Sequence, residues 1–184
     1  YVQKMHRLAR PFVEVLPESE AFAGFTLFMT QHAPSYARVA QDGIQCAVEL
    51  FDECLRALDR PLYNHLLDCG VHPEQYAYEP LLGCTTCMTT VDYEQWLRRW
   101  DIFLAYGIHM NILFMIAQLM SARYTLLASD CPMNILGAEL VADVNEIIQC
   151  AITLSRRLPP ALYGALAQHI TDVTAVLDKL PLVL

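Results

Sequence analysis

Apolar residues recur at the spacing of an α-helix along almost the whole chain. No segment alternates apolar and polar residues as a half-buried β-strand would. Residues 42–58 show the pattern most clearly, with one apolar stripe that includes Ile44, Val48 and Phe51. Proline and glycine residues separate such segments, and no internal repeat is visible. The pattern therefore predicts one all-α domain built from many helices.

The ends of these helices can also be predicted. In chain order, the expected helical segments are residues 1–16, 17–33, 42–58, 60–70, 73–88, 92–106, 108–127, a short turn from 131, 142–157 and 161–177. Pro11 should kink the first of them, Gly70 should end the fourth, and Asp92 should cap the sixth. Because residues 108–127 are apolar on all sides, we expect them to form the most buried helix.

Composition and charge exclude several classes of protein. Hydrophobic residues make up 55% of the 184 residues and charged residues only 17%, which indicates a buried core rather than disorder. The net charge of −8 argues against nucleic-acid binding, whose affinity comes largely from Lys and Arg on phosphates. The longest apolar run, residues 108–120, falls short of the roughly 20 residues needed to cross a bilayer. We therefore expect neither a nucleic-acid partner nor a membrane span.

The cysteines do not form a recognisable metal or redox motif. Their number, seven, is odd and their spacing is irregular, which is typical of reduced thiols in the cytosol or nucleus. Cys84 and Cys87 have the spacing of half a zinc site or of a redox pair, but no second pair lies at zinc-site spacing. On the helix predicted there, both thiols would face the core. We therefore expect no metal and no cofactor.

Two stretches resemble a known family. The chain opens with Tyr1-Val2-Gln3-Lys4-Met5 and later reads Arg99-Trp100-Asp101. Together they resemble the second half of a TBC domain, the helical GTPase-activating domain for Rab-type GTPases. The resemblance implies that Gln3 is a catalytic glutamine offered in trans to a small Ras- or Rab-like GTPase, and that Tyr1, Lys4 and Met5 dock that GTPase. An amide can accept and donate hydrogen bonds at once, so it can orient the water that attacks the γ-phosphate. The same resemblance assigns Trp100 and Asp101 to the scaffold.

The chain departs from the family pattern in three ways. Lys4 stands where the family has glycine, and His6 stands where it tends to have asparagine. The Ile-x-x-Asp-x-x-Arg element that supplies the family's catalytic arginine does not occur in residues 1–184. We therefore expect residues 1–184 to be the C-terminal part of a single TBC domain whose N-terminal half is missing. Arg7 is not assigned the arginine's role, and we expect Arg7 and Arg10 to be solvated.

Three further stretches resemble the fungal mitotic-checkpoint branch of this family, the budding-uninhibited-by-benzimidazole type. They are residues 104–111, 126–133 and 157–163. The resemblance implies a regulator of a GTPase rather than an enzyme in its own right, acting in mitotic exit or spindle-checkpoint control. It also implies a scaffold protein as partner in a two-component activator, and a cytoplasmic location at the spindle pole body.

Two other functions remain open at this stage. The chain could be a non-catalytic helical scaffold derived from a TBC domain, which the absent arginine and Lys4 favour. It could also activate a Rab GTPase of membrane trafficking. Whichever holds, Tyr1, Met5 and Leu8 lie at helical spacing without an upstream partner, so we expect exposed apolar surface at this edge.

Overall fold

A computed structural model describes residues 5–38, 42–84, 93–137 and 143–181. Within these ranges the backbone forms helices and no β-strand, which confirms the predicted all-α class. The helices are α1 (Met5–Val15), α2 (Glu18–Leu27), α3 (Asp42–Leu58), α4 (Arg60–Asp68), α5 (Pro73–Tyr76), α6 (Tyr78–Gly83), α7 (Tyr93–Tyr106), α8 (Met110–Ser121), α9 (Arg123–Leu127), α10 (Pro132–Leu136), α11 (Val144–Arg157), α12 (Pro160–Gln168) and α13 (Val173–Leu177). A π-helical segment (Phe28–His32) continues α2, and a 3-10 segment (Pro34–Ala37) follows it. None of the described helices is long and apolar enough to cross a bilayer.

Several helix ends lie where the sequence predicts them. Helix α3 covers the predicted residues 42–58, and α4 ends before Gly70, whose φ is 71°. The N–H of Gly70 donates to the carbonyl of Leu67 (2.8 Å), and the N–H of Val71 donates to the carbonyl of Leu66 (2.9 Å). This pair of bonds is the Schellman arrangement, in which a glycine adopts the left-handed conformation that ends a helix. Gly70 therefore stops α4 as predicted.

The single helix predicted over residues 73–88 is wrong. Two short helices, α5 and α6, occupy the first part of this range. Pro80 explains the break, because its ring conflicts with the carbonyl of Tyr76, four residues earlier, if one helix continues through both. Helix α6 ends at Cys84, whose φ of 46° is left-handed. Cys84 is therefore not in the interior of a helix, and Cys87, like the predicted cap Asp92, lies outside the described residues.

The helix predicted over residues 108–127 is confirmed only in its first part. Ten of the twelve residues of α8 are buried, the largest fraction among the described helices. A separate helix, α9, begins at Arg123, whose guanidinium pairs with the carboxylate of Asp59 (Nη2 to Oδ1, 3.1 Å). The same carboxylate accepts the N–H of Leu62 and so caps α4. This ion pair thus connects α9 to α4, and the two helices pack against each other.

The helix predicted over residues 161–177 is likewise divided into α12 and α13. The carboxylate of Asp172 accepts the N–H of Ala175 (3.0 Å) and starts α13 anew. Between the two helices, the carbonyl of Ile170 accepts the N–H of Ser35 in the 3-10 segment (3.0 Å). The turn is therefore stabilised by a contact with a segment far away in the chain.

Helix α3 is the centre of the described structure. It packs against α4, α5, α6, α8, α12, α13 and the 3-10 segment. Buried residues occur on more than the one stripe that the periodicity indicates, since Cys46 and Leu50, which lie outside the stripe of Ile44 and Phe51, are also fully buried. A helix contacted on several sides buries residues that an amphipathic pattern would place at the surface.

An aromatic cluster connects α1 to this core. Trp100, 1% exposed, lies 6.1 Å from Phe12 of α1 and 5.6 Å from Phe28 of the π-helical segment, measured between ring centroids. It also contacts Phe103 edge to face at 5.7 Å, and Phe103 contacts Phe114 of α8 at 5.3 Å. Aromatic pairs at such distances add roughly 0.5–1.5 kcal/mol each beyond the area they bury. The predicted scaffold role of Trp100 agrees with this burial, whereas the neighbouring Asp101 is exposed.

The apolar surface expected near the N-terminus is formed by other residues than predicted. Leu8 is only 3% exposed and Met5 is half-buried against the core, so the prediction is wrong for Leu8. Tyr1 lies outside the described residues. The exposed apolar side chains are instead those of Val13 and Phe22, with 66% and 74% of their surfaces accessible. Helix α1 therefore buries the side that carries Leu8 and presents another apolar side to solvent.

Two histidines are buried between α8, α12 and the 3-10 segment. His169 is fully buried; its Nδ1–H donates to the carbonyl of Leu166 (2.6 Å), and its Nε2 faces the hydroxyl of Tyr36 (3.4 Å). His109, 5% exposed, has no hydrogen-bond partner for either ring nitrogen among the described residues. Burial lowers the pKa of each imidazole to about 4. Both rings are therefore neutral in the folded protein at pH 7.

Gly43→Ala should destabilise the protein. A Cβ at Gly43 would lie 2.7 Å from the carbonyl oxygen of Ser35 and 2.6 Å from its hydroxyl oxygen, so the 3-10 segment would have to move away from α3. Overpacking of this kind costs about 1–3 kcal/mol. The free energy of unfolding, measured by urea denaturation, should fall by that amount. Gly164→Ala is the matched control, because nothing lies within 4 Å of a Cβ at that helical position. The control should stabilise α12 by about 0.5–1 kcal/mol. If Gly43→Ala left the free energy of unfolding unchanged, the close contact between Gly43 and Ser35 would be contradicted.

Acidification should weaken the fold through the two buried histidines. In the unfolded chain they take up protons below a pKa near 6.5, whereas in the folded protein they resist protonation down to about 4. The unfolded state thus binds more protons between these values, and the free energy of unfolding falls as the pH is lowered from 6.5 to 4. Each histidine contributes a slope of up to about 1.4 kcal/mol per pH unit. In urea denaturation at several pH values, His169→Gln should show a shallower slope than the unmodified protein. If His169→Gln left the pH dependence of the free energy of unfolding unchanged, the lowered pKa of His169 would be contradicted.

Candidate functional site

The candidate site begins at the N-terminal end of α1. Gln3, Tyr1 and Lys4 lie outside the described residues, so their predicted roles are carried by the sequence alone. Met5 is the first described residue of α1; it is half-buried and packs against the core rather than projecting freely. The structure therefore describes the helix that follows Gln3 and the surroundings of that helix.

Helix α1 is fixed by its buried side. Leu8 and Phe12 are four residues apart and so lie on one face of the helix. Phe12 contacts Phe25 at 5.8 Å and Phe28 at 5.5 Å between ring centroids, in addition to Trp100. Pro11 is also buried on this helix, which remains continuous around it. The chain that carries Gln3 therefore enters the domain on a helix held by the aromatic cluster.

From the sequence we expected Arg10 to be solvated, but its side chain makes two contacts in the structure. Its guanidinium lies 5.1 Å from the centroid of the Trp96 ring of α7 and forms an ion pair with Glu14 one turn further along α1. A cation over an aromatic face at an exposed site contributes about 0.5–1 kcal/mol. The sequence separation of Arg10 and Trp96 leaves no periodic signal from which this contact could be predicted. Arg10 thus connects α1 to α7 while its charge stays accessible.

The exposed side of α1 carries a shallow groove with positive charge at one end. Its volume is about 540 Å³, and it is lined by His6, Arg7, Ala9, Arg10, Val13 and Glu14. Glu14 pairs with Arg10, so Arg7 is the cation of the groove that Glu14 does not neutralise. The first 13 residues of the sequence contain three cationic residues and no acidic one, although the whole chain has 20 acidic and 12 cationic residues. A positive region on an acidic protein favours the approach of an anionic surface or phosphate to that region. The residues next to Gln3 in the sequence are therefore the ones suited to such a partner.

The buried thiols offer no reactive group. Burial raises the pKa of Cys46 to about 12, and it raises the pKa of the Cys54 and Cys84 thiols further. A thiol with a raised pKa is protonated at pH 7 and is a poor nucleophile and metal ligand. Among the described residues, no group of three His, Cys, Asp or Glu side chains is placed to hold a metal ion. These three cysteines are core residues.

Comparison with known proteins gives a consistent family. The model of the Rab-GTPase-TBC domain family matches residues 1–127. Cell division control protein 16 of Schizosaccharomyces pombe is 36% identical over 183 residues, which are 98% of this chain and 60% of that protein. The putative mitotic check point protein BUB2 of Dictyostelium discoideum is 34% identical over 169 residues, 92% of this chain and 45% of that protein. Mitotic check point protein BUB2 of Saccharomyces cerevisiae is 34% identical over 173 residues, 94% of this chain and 56% of that protein.

Most of this chain is thus covered by each match, while the chain spans only about half the length of these relatives. The family match includes the segment with Gln3, all of α1 and the aromatic cluster around Trp100. It covers more than half of the 184 residues and agrees with the helical structure, so the chain belongs to the Rab-GTPase-TBC domain family.

Proposed function

We propose that this chain is part of a GTPase-activating subunit that acts on a small Ras- or Rab-like GTPase in mitotic-exit or spindle-checkpoint control. The observation that carries the proposal is the family match, which begins at residue 1 and so includes Gln3. The names of the three relatives, a cell division control protein and two mitotic check point proteins, support the cellular role. The protein would act as a regulator that supplies a catalytic residue in trans to the GTPase.

In this proposal Gln3 enters the nucleotide site of the GTPase and orients the attacking water. The accessible charges of Arg7 and Arg10 lie on the following helix, where they can attract the anionic surface around the bound nucleotide. Tyr1, Lys4 and Met5 would contact the GTPase around Gln3. The half-buried position of Met5 suggests that its backbone and the helix start, more than its side chain, form that contact.

The remaining catalytic requirement is a cationic side chain that neutralises the negative charge on the transferring phosphoryl group. An arginine supplied in trans accelerates such hydrolysis by about 10³–10⁵. The family's arginine element does not occur in residues 1–184. We propose that residues 1–184 are the C-terminal part of a single TBC domain and that the rest of the domain supplies this arginine. A scaffold protein would complete the two-component activator in the cytoplasm, at the spindle pole body.

Single-turnover GTP hydrolysis tests the proposal. The polypeptide encoded by the uninterrupted reading frame around residues 1–184 is mixed with Ras-like and Rab GTPases, with and without candidate scaffold proteins. Acceleration for a Ras-like GTPase of mitotic exit supports the proposal. Binding without acceleration would instead support the non-catalytic scaffold, which Lys4 favours, and acceleration only for a trafficking Rab would support the third function.

In that assay Gln3→Ala should remove most of the acceleration. The alanine can no longer orient water, and the loss of a group positioned for proton or water handling typically costs at least about 100-fold. The free energy of unfolding should stay within about 0.5 kcal/mol, since we expect Gln3 to face the GTPase rather than the core. Gln149→Ala, at an exposed glutamine of α11, is the matched control and should retain full acceleration. Full acceleration by a folded Gln3→Ala protein would exclude the glutamine mechanism.

Lys4→Gly should preserve or raise the acceleration. Glycine is the residue of the family pattern, and it permits another backbone to approach closely where a lysine places a long charged side chain. Lys4→Ala separates the loss of the long charged side chain from the gain in backbone freedom. Alanine removes the side chain's bulk and charge but does not give the backbone the freedom of glycine. Both variants are measured in the same hydrolysis assay. A loss of acceleration in both would mean that the ammonium group itself contributes to GTPase or phosphate binding.

A further inference from the structure

Helix α2 has the composition of a buried helix and the exposure of a surface helix. After its acidic first turn, it consists mainly of alanine, phenylalanine and leucine on all sides. A helix that is apolar all round is normally buried in the core of a protein. Yet Ala21 is its single buried residue, while Phe22 is 74% exposed and Leu27 50% exposed.

The neighbouring face of α1 extends this apolar surface. Val13 of α1 and Leu16, which follows α1, line a groove of about 990 Å³ together with Phe22 and Phe25 of α2 and with Ala9. Five of the ten large hydrophobic side chains that are exposed in the described part of the chain belong to residues 13–27. Single exposed apolar residues are normal on a surface, but a contiguous set of them indicates a site of contact. We call this surface the α1–α2 groove.

The lining of the α1–α2 groove indicates a permanent rather than a transient occupant. Six of its eight lining residues are apolar, and the other two are Glu18 and Ser19. Interfaces that form and separate are about as polar as the rest of a protein surface and have charged rims. Permanent interfaces resemble a core cut in half. The cationic side chains of Arg7 and Arg10 line the other groove of α1, which is the one suited to an anionic partner.

The lengths of the relatives point to the source of this occupant. The chain spans 60%, 45% and 56% of the three relatives' lengths, so each of them has a substantial further length of chain. We propose that the α1–α2 groove is filled by an amphipathic helix of the same polypeptide, from the part of the TBC domain outside residues 1–184. This inference rests on the proposed assignment of these residues to one larger domain. The helix would present apolar residues three and four positions apart to Val13, Leu16 and Phe22.

Thiol labelling of the longer polypeptide tests the inference. Phe22→Cys is compared with Tyr124→Cys, a matched position on α9 with 84% exposure, in a background that carries Cys131→Ser to remove an exposed native thiol. The polypeptide is the product of the uninterrupted reading frame that contains residues 1–184. The expected result is labelling at position 22 that is at least about 10-fold slower than at position 124, independent of protein concentration and without any GTPase. This readout does not involve GTP hydrolysis, so it can succeed or fail separately from the proposed function.

Other outcomes overturn the inference. Equally fast labelling at both positions, or a reading frame that adds no helix, would mean that no segment covers the groove. Protection that is lost on dilution would identify a second copy as the occupant. Protection that appears only with a GTPase would identify the GTPase. As a second measurement, Phe22→Glu should lower the Tm of the longer polypeptide by at least about 5 °C, whereas Tyr124→Glu should leave it within about 2 °C.

Discussion

The packing of Trp100 is the interaction on which the arrangement of the site depends. This indole, almost completely buried, contacts α1 through Phe12 and the π-helical segment through Phe28. Through Phe103 it reaches α8, the most buried helix of the described structure. The other contacts of α1 include those with α2, with a few residues of α6 and, through Arg10, with Trp96 of α7. Helix α1 is therefore held in place by an aromatic residue that lies 88 positions after Phe12 in the chain.

Helix α1 consequently has three sides that differ in burial, charge and polarity. The side with Leu8 and Phe12 is buried against the cluster. The side with Arg7 and Arg10 is charged and also carries Glu14, and the Arg10 guanidinium is held over Trp96 without losing access to solvent. The third side carries Val13; together with Leu16, which follows the helix, it is apolar and continues onto α2. The charged side and the apolar side of α1 therefore differ in the kind of surface that each can contact.

Much of the fold could be predicted from the sequence because its signals are local. Helical periodicity identified α3 with both its ends and α11 with its C-terminal end, and Gly70 ended α4 through a conformation that glycine adopts without strain. The break between α5 and α6 was also encoded locally, in Pro80, although the apolar pattern across it predicted one helix. For the candidate site, the sequence supplied the glutamine motif and the family to which the chain belongs.

The sequence by itself thus determined the helical class, most helix positions and the residue types at the site. Tertiary structure decided where continuous helical patterns stop, because Arg123 pairs with Asp59 across 64 positions and Ser35 binds the carbonyl of Ile170. It also decided which apolar side of α1 is buried. Leu8 and Val13 are equally acceptable to a hydrophobic pattern. The packing of Phe12 against Trp100 and Phe28 turns the face shared by Phe12 and Leu8 inward, and Val13 is left exposed. Periodicity records that a face is apolar, whereas the partner that covers it is set by packing between residues distant in the chain.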